Sequence, residues 1–140
     1  MNSSGYSGTP LAKKLGIKDG FKIKLVNQPD YYFNLFESLP EKIEFIHDRK
    51  TRKDFVHFFV KDAGVLEKEI VSLKKEIVPN GMIWISWPKK SSKVVTDITE
   101  DLIRKLALTH GLVDVKVCAV DDVWSGLKLV IPLKDRSSEK

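Results

Sequence analysis

The sequence predicts a three-layer, Rossmann-like α/β domain with a mostly parallel six-stranded sheet. Strand-like and helix-like segments alternate along most of the 140 residues, which is typical of parallel sheets with helices on both faces. The segment from Phe55 to Val60 is a nearly continuous apolar run, as in a strand that is covered on both sides. Two strand-like segments with a short connection close the chain, which indicates an antiparallel hairpin.

The composition is that of an ordinary globular protein and constrains the function only weakly. The chain is 42% hydrophobic and 31% charged, with a formal net charge of +5 that slightly favours anionic partners. No apolar run approaches the roughly 18 residues of a membrane span. The N-terminus lacks the basic and apolar regions of a signal peptide, so we expect a cytoplasmic protein. We expect one domain over residues 1–140, with flexible ends at about 1–6 and 135–140.

The first part of the chain predicts a short helix followed by two strands. Thr9 as N-cap and Pro10 at the first helical position suit a helix start, and Gly16 suits its end. Alternating, β-rich residues predict the first strand at 21–26. A short second strand is predicted at 42–46.

A second helix is predicted between these two strands. Asp30 can cap its start, and Tyr31, Leu35 and Leu39 share one face at helical spacing. Pro40 ends the pattern, because the residue before a proline is disfavoured in a helix. This arrangement predicts that Tyr31 faces the core.

The remainder predicts two longer helices on either side of a central strand. Asp62 caps the first helix, and Asp97 with Glu100 forms a capping box for the second. A Pro-Asn-Gly sequence ends the first helix before the central strand. The predicted ranges are 63–78 and 98–109 for the helices, 82–87 for the central strand, and 113–120 and 127–133 for the closing hairpin.

The best candidate site is the polar loop that follows the central strand. Ligands of open α/β sheets bind beyond the carboxyl ends of the strands. We therefore expect this loop, with Asn27 and Gln28 after the first strand, to hold a phosphate or carboxylate, helped by amides of a nearby helix start. A solvated loop with mobile lysines is the alternative. The candidate residues are Asn27, Gln28, Trp87, Lys89, Lys90, Ser91 and Ser92.

From Phe55 onward the segments run as an apolar strand, a capped helix, a Pro-Asn-Gly turn, a strand, a helix and a terminal hairpin. This pattern resembles the second half of class I S-adenosylmethionine-dependent methyltransferases. The resemblance implies the strand order 2-1-3-4-6-5, and it implies methyl transfer as an alternative function, with Asp48 on the ribose of the cofactor. Those enzymes carry a Gly-rich turn after the first strand, whereas residues 27–30 are Asn-Gln-Pro-Asp. The sequence therefore disfavours this cofactor, and no other is predicted.

Four segments of the chain are distinctive, at 5–11 with 14–17, 87–92, 115–121 and 124–130. Together they resemble an uncharacterised bacterial family that is described only as a domain of unknown function. The resemblance implies a small, standalone bacterial protein. It supplies no activity and no site residues.

A basic run gives a nucleic-acid alternative. Arg49, Lys50, Arg52 and Lys53 follow one another closely and can grip a phosphate backbone. Base stacking requires aromatic residues among the charges, and none lies within this run. A solvated loop is the simpler interpretation, and nucleic acid is therefore a disfavoured partner.

No residue pattern in the sequence predicts catalysis. His57 lies within a buried strand and is interpreted as a core histidine, and the lone Cys118 as a small buried apolar residue. We therefore expect a non-enzymatic or degenerate Rossmann-like module that binds an anionic small molecule or a protein partner at the carboxyl ends of its strands. The sequence does not predict a metal site, a membrane segment or an oligomeric state.

Overall fold

The computed structural model describes residues 9–136, which form one six-stranded sheet and three α-helices. The predictions for residues 1–6, for the segment at 5–8 and for the tail beyond 136 lie outside this part of the chain. The helices are α1 (Leu11–Leu15), α2 (Ala63–Lys75) and α3 (Glu100–Thr109), and the strands are β1 (Lys22–Val26), β2 (Glu44–Phe45), β3 (Lys53–Phe59), β4 (Ile77–Pro88), β5 (Val113–Ala119) and β6 (Trp124–Val130).

The strand order is β2-β1-β3-β4-β6-β5, as predicted. β1 pairs in parallel with β2 and β3, and β3 pairs in parallel with β4, whereas β6 runs antiparallel to β4 and β5. The parallel strands therefore end together at Val26, Phe59 and Pro88, and we call this the carboxyl edge. The opposite side, where β3 and β4 begin at Lys53 and Ile77, is the amino edge. This mixed sheet confirms the Rossmann-like class.

Two apolar layers cover the two faces of the sheet. α2 and α3 pack on one face, and Trp87 of β4 lies in that layer. The other layer is formed by α1 and by loop segments, and it contains Trp84. The indole N–H of Trp84 donates to the Leu15 carbonyl at 2.8 Å, which attaches α1 to the central strand. The two tryptophans therefore lie on opposite faces, as the alternation of a strand predicts.

The prediction of a helix between β1 and β2 is wrong. Only one 3-10 turn forms, at Tyr32–Leu35, and the backbone is extended at Phe36. Tyr32 is the buried aromatic residue, with 2% exposure, whereas Tyr31 is 38% exposed. The hydroxyl of Tyr32 lies 2.9 Å from Nδ1 of His57 on β3. This contact and the surrounding rings override the helical pattern, because tertiary packing outweighs local propensity.

Several element boundaries also differ from the prediction. Thr99, not Asp97, is the N-cap of α3, and its hydroxyl accepts from the Leu102 N–H at 3.1 Å. α2 ends at Lys75, so the Pro-Asn-Gly sequence lies inside β4 instead of ending the helix. β2 is shorter than predicted, and β6 begins and ends earlier. Pro10 occupies the N-cap position of α1 that was assigned to Thr9.

Two predicted helix boundaries are confirmed. The Asp62 carboxylate caps α2 by accepting from the Val65 N–H at 3.1 Å. Gly16 ends α1 with a φ of 83°, a left-handed conformation that glycine adopts without steric cost. None of the helices between residues 9 and 136 combines the length and apolarity that a membrane crossing requires.

Candidate functional site

The structure divides the predicted site residues between the two edges of the sheet. Asn27 and Gln28 follow β1, and the loop from Lys89 to Ser92 follows β4, so these residues lie at the carboxyl edge as expected. The basic run does not, because Lys53 begins β3 at the amino edge. The candidate site is therefore the carboxyl edge, and the amino edge is a separate charged region.

The loop after β4 is fixed by its own hydrogen bonds. The Lys89 N–H donates to the Val123 carbonyl at 2.7 Å, which ties the loop to the turn between β5 and β6. The Ser92 hydroxyl donates to the Lys89 carbonyl at 2.7 Å and accepts from the Val94 N–H at 3.2 Å. The Ser92 side chain is thus engaged by backbone groups. Ser91 is exposed.

The side chains of Lys89 and Lys90 remain available in this loop. Lys89 is half-buried and Lys90 is exposed, and neither ammonium group has a hydrogen bond or ion pair within residues 9–136. Trp87, which we predicted beside the ligand, is 8% exposed and lies in the apolar layer beneath α2 and α3. The cationic part of the predicted site is therefore accessible, and its aromatic part is core.

At the nearby helix starts, side chains already accept from some of the backbone amides. At α2, the Ala63 N–H donates to Asp97 at 2.8 Å, and the Val65 N–H donates to Asp62. At α3, the Thr99 hydroxyl accepts the corresponding bond. An anion at either helix start would compete with a side chain that already caps it. These caps weaken the contribution that we expected from helix amides.

Aromatic side chains that the sequence did not assign to the site cross the carboxyl edge. Tyr31, after β1, contacts Asp121 and Trp124 of the turn between β5 and β6. Burial, the hydrogen bond to Asp121 and its charge raise the pKa of Tyr31 to about 12. Trp124 packs edge-on against Phe59 at the end of β3, with ring centroids 5.0 Å apart. We call Tyr31, Phe59, Asp121 and Trp124 the aromatic bridge.

The turn that carries Trp124 is held by Asp121. One carboxylate oxygen of Asp121 accepts from the Val123 and Trp124 N–H groups, both at 2.8 Å. Asp side chains commonly stabilise turns in this way. The only sequence signal for the bridge was the position of an acidic and an aromatic residue in one turn, which does not reveal that Tyr31 reaches them.

A buried chain of polar groups joins three elements in the same face of the sheet. Nδ1 of His57 lies 2.9 Å from the Tyr32 hydroxyl, and Nε2 lies 2.7 Å from the Ser86 hydroxyl. His57 and Ser86 have no exposed surface, and burial lowers the pKa of His57 to about 3. The imidazole is therefore neutral, with one nitrogen donating and the other accepting. His57 and Ser86 are therefore closed to substrates, and the prediction that His57 is a core histidine is confirmed.

The amino edge contains a buried ion cluster, formed by Lys24, Lys53 and Glu76. One carboxylate oxygen of Glu76 accepts from both ammonium groups at 2.8 Å. Burial alone would raise the pKa of Glu76, but the hydrogen bonds and charges of the two lysines lower it below its ordinary value. Lys53 has no exposed surface. The interpretation of Lys53 as a loop cation for nucleic acid is therefore wrong.

Asp48 lies beside this cluster, away from the loop after β1. Its carbonyl accepts from the Lys53 ammonium group, and its carboxylate accepts from the Thr51 N–H at 2.7 Å and from the Thr51 hydroxyl at 3.1 Å. The backbone bond from Thr51 is the main reason that the pKa of Asp48 is lowered. The neighbouring Arg49 donates to Ser72 in the last turn of α2 at 3.0 Å. The structure therefore does not bring Asp48 to a ribose site at the carboxyl edge.

No group of three potential metal ligands is found among the residues that the structure describes. Cys118 is partly buried, and burial raises the pKa of its thiol, so a reactive thiolate is not favoured. The chemical groups that remain for function at the carboxyl edge are ammonium groups, hydroxyls and aromatic rings.

Comparisons with known proteins identify the fold. No protein-family model and no curated protein sequence matches the chain. Its structure is similar to a methyltransferase dependent on S-adenosylmethionine from Aquifex aeolicus, with a TM-score of 0.63 and 15% identity over 86% of this chain and 87% of the other. It is also similar to magnesium protoporphyrin IX methyltransferase from Synechocystis PCC 6803, solved with bound S-adenosylmethionine. The TM-score is 0.59, and the identity is 11% over 87% of this chain and 74% of the other. A third similar structure is a ribosomal protein L11 methylase from Lactobacillus delbrueckii subsp. bulgaricus, with a TM-score of 0.56 and 10% identity over 86% of this chain and 74% of the other. The chain therefore has the methyltransferase fold, as its sequence pattern implied.

The turn after β1 does not suit the cofactor that this fold implies. Asn27 begins it with a φ of 58° and is exposed, and Pro29 follows. In place of a helix there is one 3-10 turn, so no helix N-terminus is directed at a cofactor here. Tyr31 then crosses to Asp121 over the end of the sheet. The described residues keep the fold without the glycine-rich cradle.

Proposed function

We propose that this protein is a non-enzymatic module with the methyltransferase fold that binds an anionic ligand at its carboxyl edge. The observation that carries the proposal is the pair Lys89 and Lys90, whose ammonium groups have no partner within residues 9–136. They follow the central strand, where open α/β sheets bind ligands. Because the Lys89 backbone is bonded to Val123 and Ser92, both charges project from a fixed segment.

Two adjacent ammonium groups are suited to a carboxylate or phosphate, which accept charge-assisted hydrogen bonds. An exposed ion pair contributes only about 0.2–1 kcal/mol. A ligand with several negative groups therefore binds this surface with a more favourable free energy than a ligand with a single negative group. Such a ligand is either a small polycarboxylate or an acidic segment of a partner protein, and binding measurements separate the two.

Methyl transfer is the second candidate function. The fold shared with proteins that are described as methyltransferases dependent on S-adenosylmethionine favours it. The turn after β1 and the position of Asp48 argue against it. Contact with nucleic acid remains a disfavoured third prediction, which now involves Arg49, Lys50 and Arg52 without the buried Lys53.

Thermal unfolding with added ligands tests the proposal, because a ligand that binds the folded state raises its stability by mass action. We expect citrate or a Glu-rich peptide to raise the melting temperature, and S-adenosylmethionine at about 1 mM to leave it unchanged. The double variant Lys89→Ala/Lys90→Ala should lose the response. The control Lys68→Ala/Lys105→Ala removes two exposed lysines from α2 and α3 and should retain it.

Two results would contradict the proposal. If Lys89→Ala/Lys90→Ala responds to citrate and the peptide as the parent protein does, the assignment to this loop is wrong. If S-adenosylmethionine stabilises the protein, the methyltransferase alternative replaces the binding module. A response to the peptide but not to citrate identifies a protein segment as the ligand.

A further inference from the structure

A second basic region lies at the amino edge, opposite the proposed ligand site. A cavity of about 120 Å³ opens between the last turn of α2, the start of β4 and the segment after β6. Ile77, Pro79 and Ile131 form an apolar part of its wall. The remaining lining residues of the described chain are charged.

Cationic side chains dominate the charged part of the wall. The cations are Lys74 and Lys75 at the end of α2, Arg52 before β3 and Arg136 after β6, and within the described chain Asp135 is the one lining carboxylate. Among the described lining residues, cations therefore outnumber carboxylates by four to one. Lysines in the last turn of a helix complement its dipole, but that effect does not account for two arginines from other segments. A bound anion would relieve the repulsion among these groups.

One of the cations, Arg136, is positioned by a backbone group. Nε of Arg136 donates to the Ile131 carbonyl at 2.8 Å, which orients the guanidinium and uses one of its five N–H donors. This bond holds the Arg136 charge at the cavity, so less conformational freedom of that side chain is lost when a ligand binds.

We propose that this cavity binds a small organic phosphate. Its volume of about 120 Å³ corresponds to about four water molecules at the roughly 30 Å³ that each occupies in the liquid, which is enough for a phosphate group with a few carbon atoms. Guanidinium groups bind phosphate through paired hydrogen bonds, and lysines add charge. The apolar wall suits the organic part of the ligand. A polynucleotide is disfavoured, because none of the described lining residues is aromatic and able to stack on a base.

Calorimetric titration at constant ionic strength tests the site, with inorganic phosphate and glycerol 3-phosphate as the probes and chloride as the control anion. We expect both phosphates to bind and glycerol 3-phosphate to bind more tightly, because only it contacts Ile77 and Ile131. Backbone amide shifts in NMR spectra should change most at Lys75 and Ile77, and clearly less at Lys89 and Lys90, at the phosphate concentration that half-saturates the site. This pattern distinguishes the cavity from the carboxyl edge.

Substitutions of the lining cations complete the experiment. Arg136→Gln should weaken binding of glycerol 3-phosphate by about tenfold or more, which corresponds to about 1.4 kcal/mol. Arg136→Lys keeps the charge without the paired donors and should weaken it less. Lys75→Gln tests the same cavity at an exposed position where misfolding is not expected, and Lys68→Gln, elsewhere on α2, should bind as the parent does.

Three results would overturn the inference. They are the absence of binding, amide shifts confined to the carboxyl edge, and unchanged affinity in both Arg136→Gln and Lys75→Gln. Equal affinity for inorganic phosphate and glycerol 3-phosphate would show that the organic part of the ligand does not contribute to binding, and would overturn that part of the inference. An RNA oligonucleotide that displaces phosphate, binds more tightly and loses affinity steeply with salt would replace the small phosphate by a polynucleotide.

Discussion

The two edges of the sheet use charge in different ways. At the carboxyl edge, the acidic groups cap helices and turns at the surface, and the Lys89 and Lys90 side chains are accessible. At the amino edge, the ion cluster of Lys24, Lys53 and Glu76 lies inside the protein. Buried charges carry a large desolvation cost and depend on their partners, whereas exposed ion pairs contribute little. Substitutions in this buried cluster should therefore change stability, and those at Lys89 and Lys90 should change binding.

The largest expected effect is that of Glu76→Ala. It leaves the fully buried Lys53 ammonium group without its carboxylate, and we expect the free energy of unfolding to fall by about 3–5 kcal/mol, as measured by urea denaturation. The control Glu100→Ala removes a half-buried partner of Arg104 near the surface and should cost less than about 1 kcal/mol. Equal losses in the two variants would mean that the buried cluster is no more important for stability than a surface pair.

The second effect is a dependence of stability on pH that arises from His57. Burial holds the pKa of His57 at about 3, against 6.5 in its ordinary state. Between these values the unfolded chain binds a proton that the folded chain does not, so stability falls by about 1.4 kcal/mol for each unit of decreasing pH. From pH 6.5 to pH 5 this amounts to about 2 kcal/mol.

Urea denaturation at a series of pH values measures this slope, and His57→Gln should remove it. The exposed His47→Gln is the control and should retain it. The lowered pKa of Glu76 stabilises the folded state above its ordinary value of 4.5 and is lost as the pH falls below that value. A slope above pH 5 therefore belongs to His57, and its persistence in His57→Gln would show that another group titrates.

The third effect concerns the aromatic bridge. Tyr31→Phe removes the hydroxyl that contacts Asp121 and Trp124, and we expect a loss of about 0.5–1.5 kcal/mol in the free energy of unfolding. Tyr32→Phe deprives the buried His57 of its partner and should cost about 1–3 kcal/mol. If Tyr31→Phe is as costly as Tyr32→Phe, the bridge is part of the structural core and not a surface feature of the carboxyl edge.

The smallest effect on stability is expected for Lys89→Ala/Lys90→Ala. Surface substitutions without structural contacts usually change the free energy of unfolding by less than about 0.5 kcal/mol. The same variant should lose its response to citrate or to the Glu-rich peptide. A loss of stability above about 1 kcal/mol in urea denaturation would show that these lysines support the fold, which would remove the contrast between the two edges.

The strand order followed from the resemblance to class I methyltransferases, and the central strands followed from local patterns. β3 and β4 are nearly continuous apolar runs because both of their faces are covered, and Asp62 caps α2 within three residues of its partner. The features that decide the charged regions are not local. Lys24 and Glu76 are 52 residues apart in the chain, and no pattern in the sequence indicates that they meet.

Local patterns also failed where two arrangements competed. Tyr31 and Tyr32 are adjacent, and helical spacing selected Tyr31 for the core, whereas the contact with His57 selects Tyr32. Asp97 and Thr99 are both good N-cap residues, and Asp97 is engaged by the start of α2. In both cases the outcome depends on a partner more than twenty residues away, which a single sequence does not reveal.

The bond between Trp84 and Leu15 has a consequence for the order in which the chain assembles. These residues are separated by 69 positions, so α1 leaves the ribosome long before the strand to which it is attached. Closing such a separation is an entropic cost that precedes any gain from the contact. The attachment of α1 to the sheet is therefore completed only after β4 has been synthesised.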